Sequence, residues 1–315
     1  TRQIYQPADL GHLGQNSMNE SMNIVSAWTR QIKKGQQPSS VDLQDHLAVV
    51  HDKNAGFTEA VAWNCRDANG KNSYELLADI IDQKLHSNVL EFACGSGVLL
   101  DLCNQQCDIK MVFSGIDTSD AELELARKRL AHTDIKLHQS KAQNLDFITD
   151  KSVDVILCHW ALTLMDPVFP VLNTARRILK ESGVFAAIID GDSETAPGYL
   201  EIHNIIYQQV QRKYPDYGVI ELGDKRVRTA QGLKKIMSKA FVDSIISIKP
   251  LLFRLNGTPE ILAREAASFF YASFVLSVSE HRHMIYELEN HFSANMQNGD
   301  SYFFMPANLL VVRPA

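Results

Sequence analysis

The chain of 315 residues lacks a basic block, a long apolar run and a cysteine framework, and each absence removes a class of function. Lys and Arg total 31 against 37 Asp and Glu, a formal charge of −6. No stretch is basic enough to track phosphates, so nucleic acid is not expected as a partner. The longest apolar stretch, Ala267 to Val278, is cut by Ser268, Ser273 and Ser277. It falls short of the roughly 20 residues that a bilayer span requires, so no membrane partner is expected either. Five cysteines, Cys65, Cys94, Cys103, Cys107 and Cys158, are an odd set in apolar or helical contexts. They argue against a disulfide scaffold and for a reducing cytoplasm. The first residues carry no secretion signal, and the chain opens at Thr1 without Met, which points to a trimmed or excised piece.

What is present is an alternation of short β-rich runs with helical periods between Ser87 and Gly191, the pattern of a parallel sheet covered by helices. Val89 to Ala93 reads as a strand that enters a glycine turn and then a helix through Val98, Leu99 and Leu102. Met111 to Ile116, Ile135 to His138, Val153 to Cys158 and Val184 to Asp190 read as further strands. Between them lie a helix capped by Ser119 or Asp120 and another from Asp166 to Glu181, ended by Ser182 and Gly183. Residues 1–86 read as a helical cap, and residues 194–240 as a helical insertion. A strand near Ser244 to Leu255, helices Pro259 to Ser279 and Glu280 to Asn295, and a strand Ser301 to Val312 complete the reading.

The strongest signal is Val89-Leu90-Glu91-Phe92-Ala93-Cys94-Gly95-Ser96-Gly97, a buried strand running into glycines and a helix start. Glycines there let a ligand approach the backbone, and a helix N-terminus offers free N–H donors. Leu100 stands where a dinucleotide fingerprint wants a small residue, which argues against NAD or FAD. Asp117, at the tip of the next strand, is placed to accept both hydroxyls of a ribose.

On these motifs the chain resembles the class I S-adenosylmethionine-dependent methyltransferases, especially those acting on small molecules. The resemblance spans roughly residues 72–193, and Tyr302 to Val312 looks like that family's closing antiparallel strand. It implies a Rossmann-like, doubly wound, seven-stranded α/β sheet over residues 87–315 with the last strand antiparallel. It also implies that Glu91, Ala93, Gly95 and Gly97 hold the methionine end of S-adenosyl-L-methionine, that Asp117 holds the ribose, and that Thr118 lies beside the adenine. Lys141 stands where the family has an adenine-binding Asp, and a lysine cannot accept a hydrogen bond. The Gln143 carbonyl and the Ala142 backbone are the substitutes at hand. His159 and Trp160, just past the fourth strand, are implied to face the methionine moiety and the transferred methyl.

If the acceptor is a hydroxyl, a histidine with a pKa near 6.5 can take its proton, which makes His159 and then His203 the candidate bases. His12 and His51 can also close over the site, without any spacing that singles them out. Aromatic faces attract a sulfonium, and Tyr5, Trp28, Trp63, Trp160 and Tyr199 are candidates. Phe269, Phe270, Tyr271 and Phe274 are read as a core or dimer stripe. His281 and His283 diverge by about 200° on a helix, so no metal is expected. The expected function is methyl transfer to a small or carrier-borne acceptor, with oxygen favoured, in natural-product biosynthesis. The partner expected is the substrate, with a homodimer or a larger biosynthetic assembly as further options. The alternatives are N- or C-methylation, or a methyltransferase-like fold that binds the nucleotide without transfer.

Overall fold

The structure is a computed structural model that describes residues 22–107, 110–296 and 298–314. Strand β1 (Asn88–Phe92) has Val89, Leu90 and Phe92 fully buried, because helices cover both faces of the sheet at that point. It is joined by β2 (Val112–Asp117), β3 (Lys136–Gln139), β4 (Val153–His159), β5 (Leu179–Asp190), β6 (Ser244–Gly257) and β7 (Ser301–Pro314). They form one seven-stranded sheet in the order β3-β2-β1-β4-β5-β7-β6. The first five strands are parallel, and β7 runs antiparallel to both β5 and β6. This is the doubly wound, seven-stranded sheet with an antiparallel last strand that the sequence predicts.

Helices α1 (Ala27–Lys33), α2 (Ser40–Asn54), α3 (Glu59–Asn64) and α4 (Ser73–Ala78) precede the sheet. Helices α5 (Val98–Gln106), α6 (Asp120–Arg129) and α7 (Val168–Ile178) connect its parallel strands. Helices α8 (Tyr199–Gln211) and α9 (Ala230–Ala240) lie between β5 and β6, and α10 (Pro259–Phe269) and α11 (Val278–Ala294) between β6 and β7. Ser39 with Asp42, and Asn72 with Glu75, make reciprocal capping boxes that start α2 and α4. In chain order the strands lead outward in both directions from β1 and β4. The carboxyl ends of that pair therefore open a crevice, with Ala93 to Gly97 on one side and Trp160 on the other.

Two expectations change, and one glycine gains a role. Helix α7 stops at Ile178, and β5 begins at Leu179, not Val184, because Leu179 pairs with Val153 and buries its side chain. The helix expected over Pro259 to Ser279 ends at Phe269: the Ser273 hydroxyl donates to the Ala267 carbonyl at 2.7 Å, and a tight turn over Tyr271–Val275 follows. Gly115 in β2 carried no signal in the sequence. A Cβ there would lie 2.7 Å from Leu100 and 2.8 Å from the Cys94 sulfur, so only glycine lets α5 and the turn press onto β2.

Candidate active site

After Phe92 the backbone turns through left-handed conformations at Ala93 (φ 50°), Gly95 (φ 51°) and Gly97 (φ 80°). Asp117 at the tip of β2 holds this turn: its Oδ2 accepts from Gly95 N–H and its Oδ1 from Ser119 N–H, both at 2.9 Å. Burial raises its pKa above the ordinary carboxylate value despite those bonds. Burial, with the Asp117 charge beside it, also lifts Glu91 well above that value. Glu91 Oε2 has no hydrogen-bond partner among the described residues. Gly97 lies elsewhere than the resemblance implies. It faces α6, where a Cβ would meet Ala126 and Leu130 at 3.1 Å, so its bare Cα serves helix packing rather than a ligand.

The crevice widens into a cavity of about 1220 Å³. Glu91, Ala93, Gly95, Asp117 and Thr118 line one end, with Ala142 and Gln143 beside them. His159, Trp160 and His203 line it too. Lys141 also lies in this wall, and its ammonium donates to the Gln44 carbonyl oxygen on α2, so the residue that replaces an acid ties down the cap. The His159 ring stacks on Tyr74 at 4.0 Å with Nε2 2.8 Å from the Ser73 hydroxyl, and burial pushes its pKa down to about 3. It is a neutral wall residue and a weak base. His203 stacks on Tyr207 at 3.8 Å, and burial lowers its pKa as well.

Phe270 belongs to the buried core, and Phe269 and Tyr271 pack against it, as the stripe reading expects, but all three also line the cavity, while Phe274 packs on Ile24 and Val50. Tyr199 lines the cavity beside Phe270. Trp28 is buried against His46 and Tyr217, and Trp63 packs on Tyr74, both away from the wall. Tyr5 and His12 lie outside the described residues.

Two groups carried no sequence signal. Arg129 on α6 donates to the Ser96 carbonyl and hydroxyl of the glycine turn and pairs with Glu59 of α3 at 2.6 Å. Ser96 in turn donates to the other Glu59 oxygen at 2.9 Å. His51 of α2 bridges Glu122 and Tyr271.

A methyltransferase-domain family model matches residues 89–183, the segment that holds the glycine turn, Asp117 and the end of β4. Residues 89–183 are thus similar to a methyltransferase domain. Across 107 residues the chain is 31% identical to the demethylmenaquinone methyltransferase of Symbiobacterium thermophilum, covering 32% of this chain and 41% of that enzyme. The match thus spans less than half of that relative's length. The [4+2]-cyclase SpnF shares the fold at 14% identity and a TM-score of 0.55, over 88% of this chain and 97% of its own. Haemonchus contortus phosphoethanolamine N-methyltransferase 2, solved with phosphomonomethylethanolamine and S-adenosylhomocysteine, aligns at 14% identity and 0.52, over 88% of this chain and 60% of that one.

The carboxylates of Glu91 and Asp117 face one end of the cavity, an acceptor set suited to a ligand that carries both positive charge and hydroxyls. The neutral histidines carry a cost in acid. His159, at about 3, and His46, buried at about 4, both bind a proton more readily in the unfolded chain, where the pKa is near 6.5. Stability should therefore fall as pH drops from about 6.5 towards 3. Chemical denaturation across that window should show a shallower loss in His159→Gln and in His46→Gln than in the parent; equal slopes would refute the assignment.

Proposed function

We propose that the chain is an S-adenosylmethionine-dependent methyltransferase that methylates an oxygen of a small organic acceptor, free or tethered to a carrier. The carrying observation is that Asp117 and a Glu91 oxygen with no hydrogen-bond partner among the described residues both border the glycine turn, inside a cavity larger than one ligand needs. Asp117 would accept the ribose hydroxyls, Glu91 and the turn backbone would hold the methionine end, and Thr118, Ala142 and Gln143 would border the adenine. The bound cofactor supplies an electrophilic methyl on a sulfonium.

At about 1220 Å³ the cavity exceeds the roughly 300–1,000 Å³ of a typical single-ligand pocket, which leaves room for an acceptor beside the cofactor. The acceptor end is walled by Trp160, Tyr199, Phe269 and Phe270, an aromatic lining that suits a flat organic molecule. What these residues contribute is alignment, since holding nucleophile and electrophile about 3–3.5 Å apart supplies most of the acceleration of an in-line displacement.

The test incubates the intact protein with S-adenosylmethionine labelled in its methyl group and a panel of small phenols, catechols and enols. Label on an acceptor oxygen is the expected product. Label on carbon or nitrogen would reassign the acceptor atom, and no transfer to any member would remove the proposal.

A further inference from the structure

The cavity wall holds a chain of three polar side chains drawn from separate parts of the fold. His51 on α2 has Nδ1 2.8 Å from Glu122 Oε1 and Nε2 2.8 Å from the Tyr271 hydroxyl. A carboxylate can only accept, so Glu122 fixes the imidazole proton on Nδ1. The Nε2 lone pair is then left to accept from the Tyr271 O–H. Gly56 N–H donates to the same Glu122 oxygen at 2.9 Å, and the Glu122 side chain is only 4% exposed, so this carboxylate is held in place. Tyr271 is held as well, its ring edge-on to Phe57 at 5.3 Å. Asp117 at the tip of β2 and Asp190 at the tip of β5 both act electrostatically on its hydroxyl. Tyr271 and Trp160 line the same cavity.

We propose that Glu122, His51 and Tyr271 form the proton relay of this site and take the proton of the acceptor hydroxyl. The proposal rests on the methyl-transfer reading above. The acceptor O–H bond breaks and its proton passes to the Tyr271 oxygen while Tyr271's own proton passes to Nε2 of His51. The imidazolium so formed is paired with Glu122. The freed oxygen pair makes the new bond to the methyl carbon, and the carbon–sulfur pair returns to sulfur as a thioether. His51, 27% exposed, then gives its proton to solvent.

Among the described residues three histidines line the cavity, and their environments separate them. Burial lowers both His159 and His203. Burial would lower His51 too, but the hydrogen bond and charge of Glu122, with Asp117 and Asp52, outweigh it and leave the pKa raised. The titratable groups facing His51 are thus Glu122 on α6, Asp117 on β2, Tyr271 after α10, and Asp52 and His46 on its own helix. A histidine whose basicity Glu122 raises suits the removal of a hydroxyl proton better than the two whose basicity burial lowers.

The test uses 4-nitrophenol, a hydroxyl acceptor mimic that colours on ionisation, bound to the intact protein loaded with S-adenosylhomocysteine. In the wild type the bound probe should ionise about one pH unit below its midpoint in free solution. In Tyr271→Phe, which keeps the ring packing, and in His51→Gln, the midpoint should return to the free value. A purely structural role for the three residues would leave the midpoint the same in all proteins; that result, or no binding of the probe, overturns the relay. Calorimetry with S-adenosylhomocysteine on the same samples separates the failures. Loss of that binding in the wild type removes the methyl-transfer reading, whereas intact binding with an unmoved midpoint removes the relay alone.

Discussion

Asp117→Ala should weaken S-adenosylhomocysteine binding by about a hundredfold, close to 3 kcal/mol. A hydrogen bond to a charged acceptor contributes about 1.5–3 kcal/mol, and a ribose offers two hydroxyls to one carboxylate. The side chain also holds Gly95 N–H and Ser119 N–H, so its loss frees the glycine turn as well as removing a ligand contact. Asp117→Asn keeps an acceptor oxygen without the charge and should fall between the two. Because burial raises the Asp117 pKa, cofactor affinity should begin to fall in acid at a higher pH than an ordinary aspartate would dictate, and Asp117→Ala should remove that contribution and leave the one from Glu91. Calorimetry from neutral pH into acid reads both effects, and wild-type affinity in Asp117→Ala would sink the cofactor assignment.

The parts of the site that were legible in the sequence are those built from neighbours in the chain. Glu91, Ala93 and Gly95 follow β1 directly and Asp117 ends β2, so strand periodicity and a glycine turn are enough to place them at the carboxyl edge of a parallel sheet. Gly97 shows the limit of that reading. The motif implied a ligand contact, whereas the close approach of α6 explains the residue without one. The core part of the aromatic stripe was legible, but its place in the cavity wall was not, because the apolar period of α10 continues past Phe269. What ends the helix is the bond from Ser273 back to Ala267, which periodicity does not register. His51 was named as able to close over the site, but its partners were out of reach, since His51 and Glu122 are 71 positions apart and His51 and Tyr271 are 220 apart. Pairings across such separations exist only once the cap has docked on the sheet.

The docking of that cap makes the largest stability prediction. Glu59→Ala should destabilise the protein by about 3–5 kcal/mol, because it leaves the Arg129 guanidinium without its charge partner. Both side chains are nearly inaccessible, at 5% and 9%, so water cannot replace the lost carboxylate without opening the structure. The same glutamate accepts from the Ser96 hydroxyl, which leaves a second buried group short of a partner. Added salt should do little, since a buried pair is screened far less than an exposed one. The expected reading is a lower urea midpoint with an unchanged slope. The double variant Glu59→Leu with Arg129→Met removes both charges together and should recover much of the loss, as replacing a buried pair by apolar groups is often neutral. A single variant as stable as the wild type would show that the pair is not closed in solution. Cofactor affinity should discriminate further, because Ser96 belongs to the glycine turn. The apolar pair can remove the unpaired charge, but it cannot restore the bond that Glu59 accepts from Ser96 or those that Arg129 donates to it, so stability should recover while binding stays weakened.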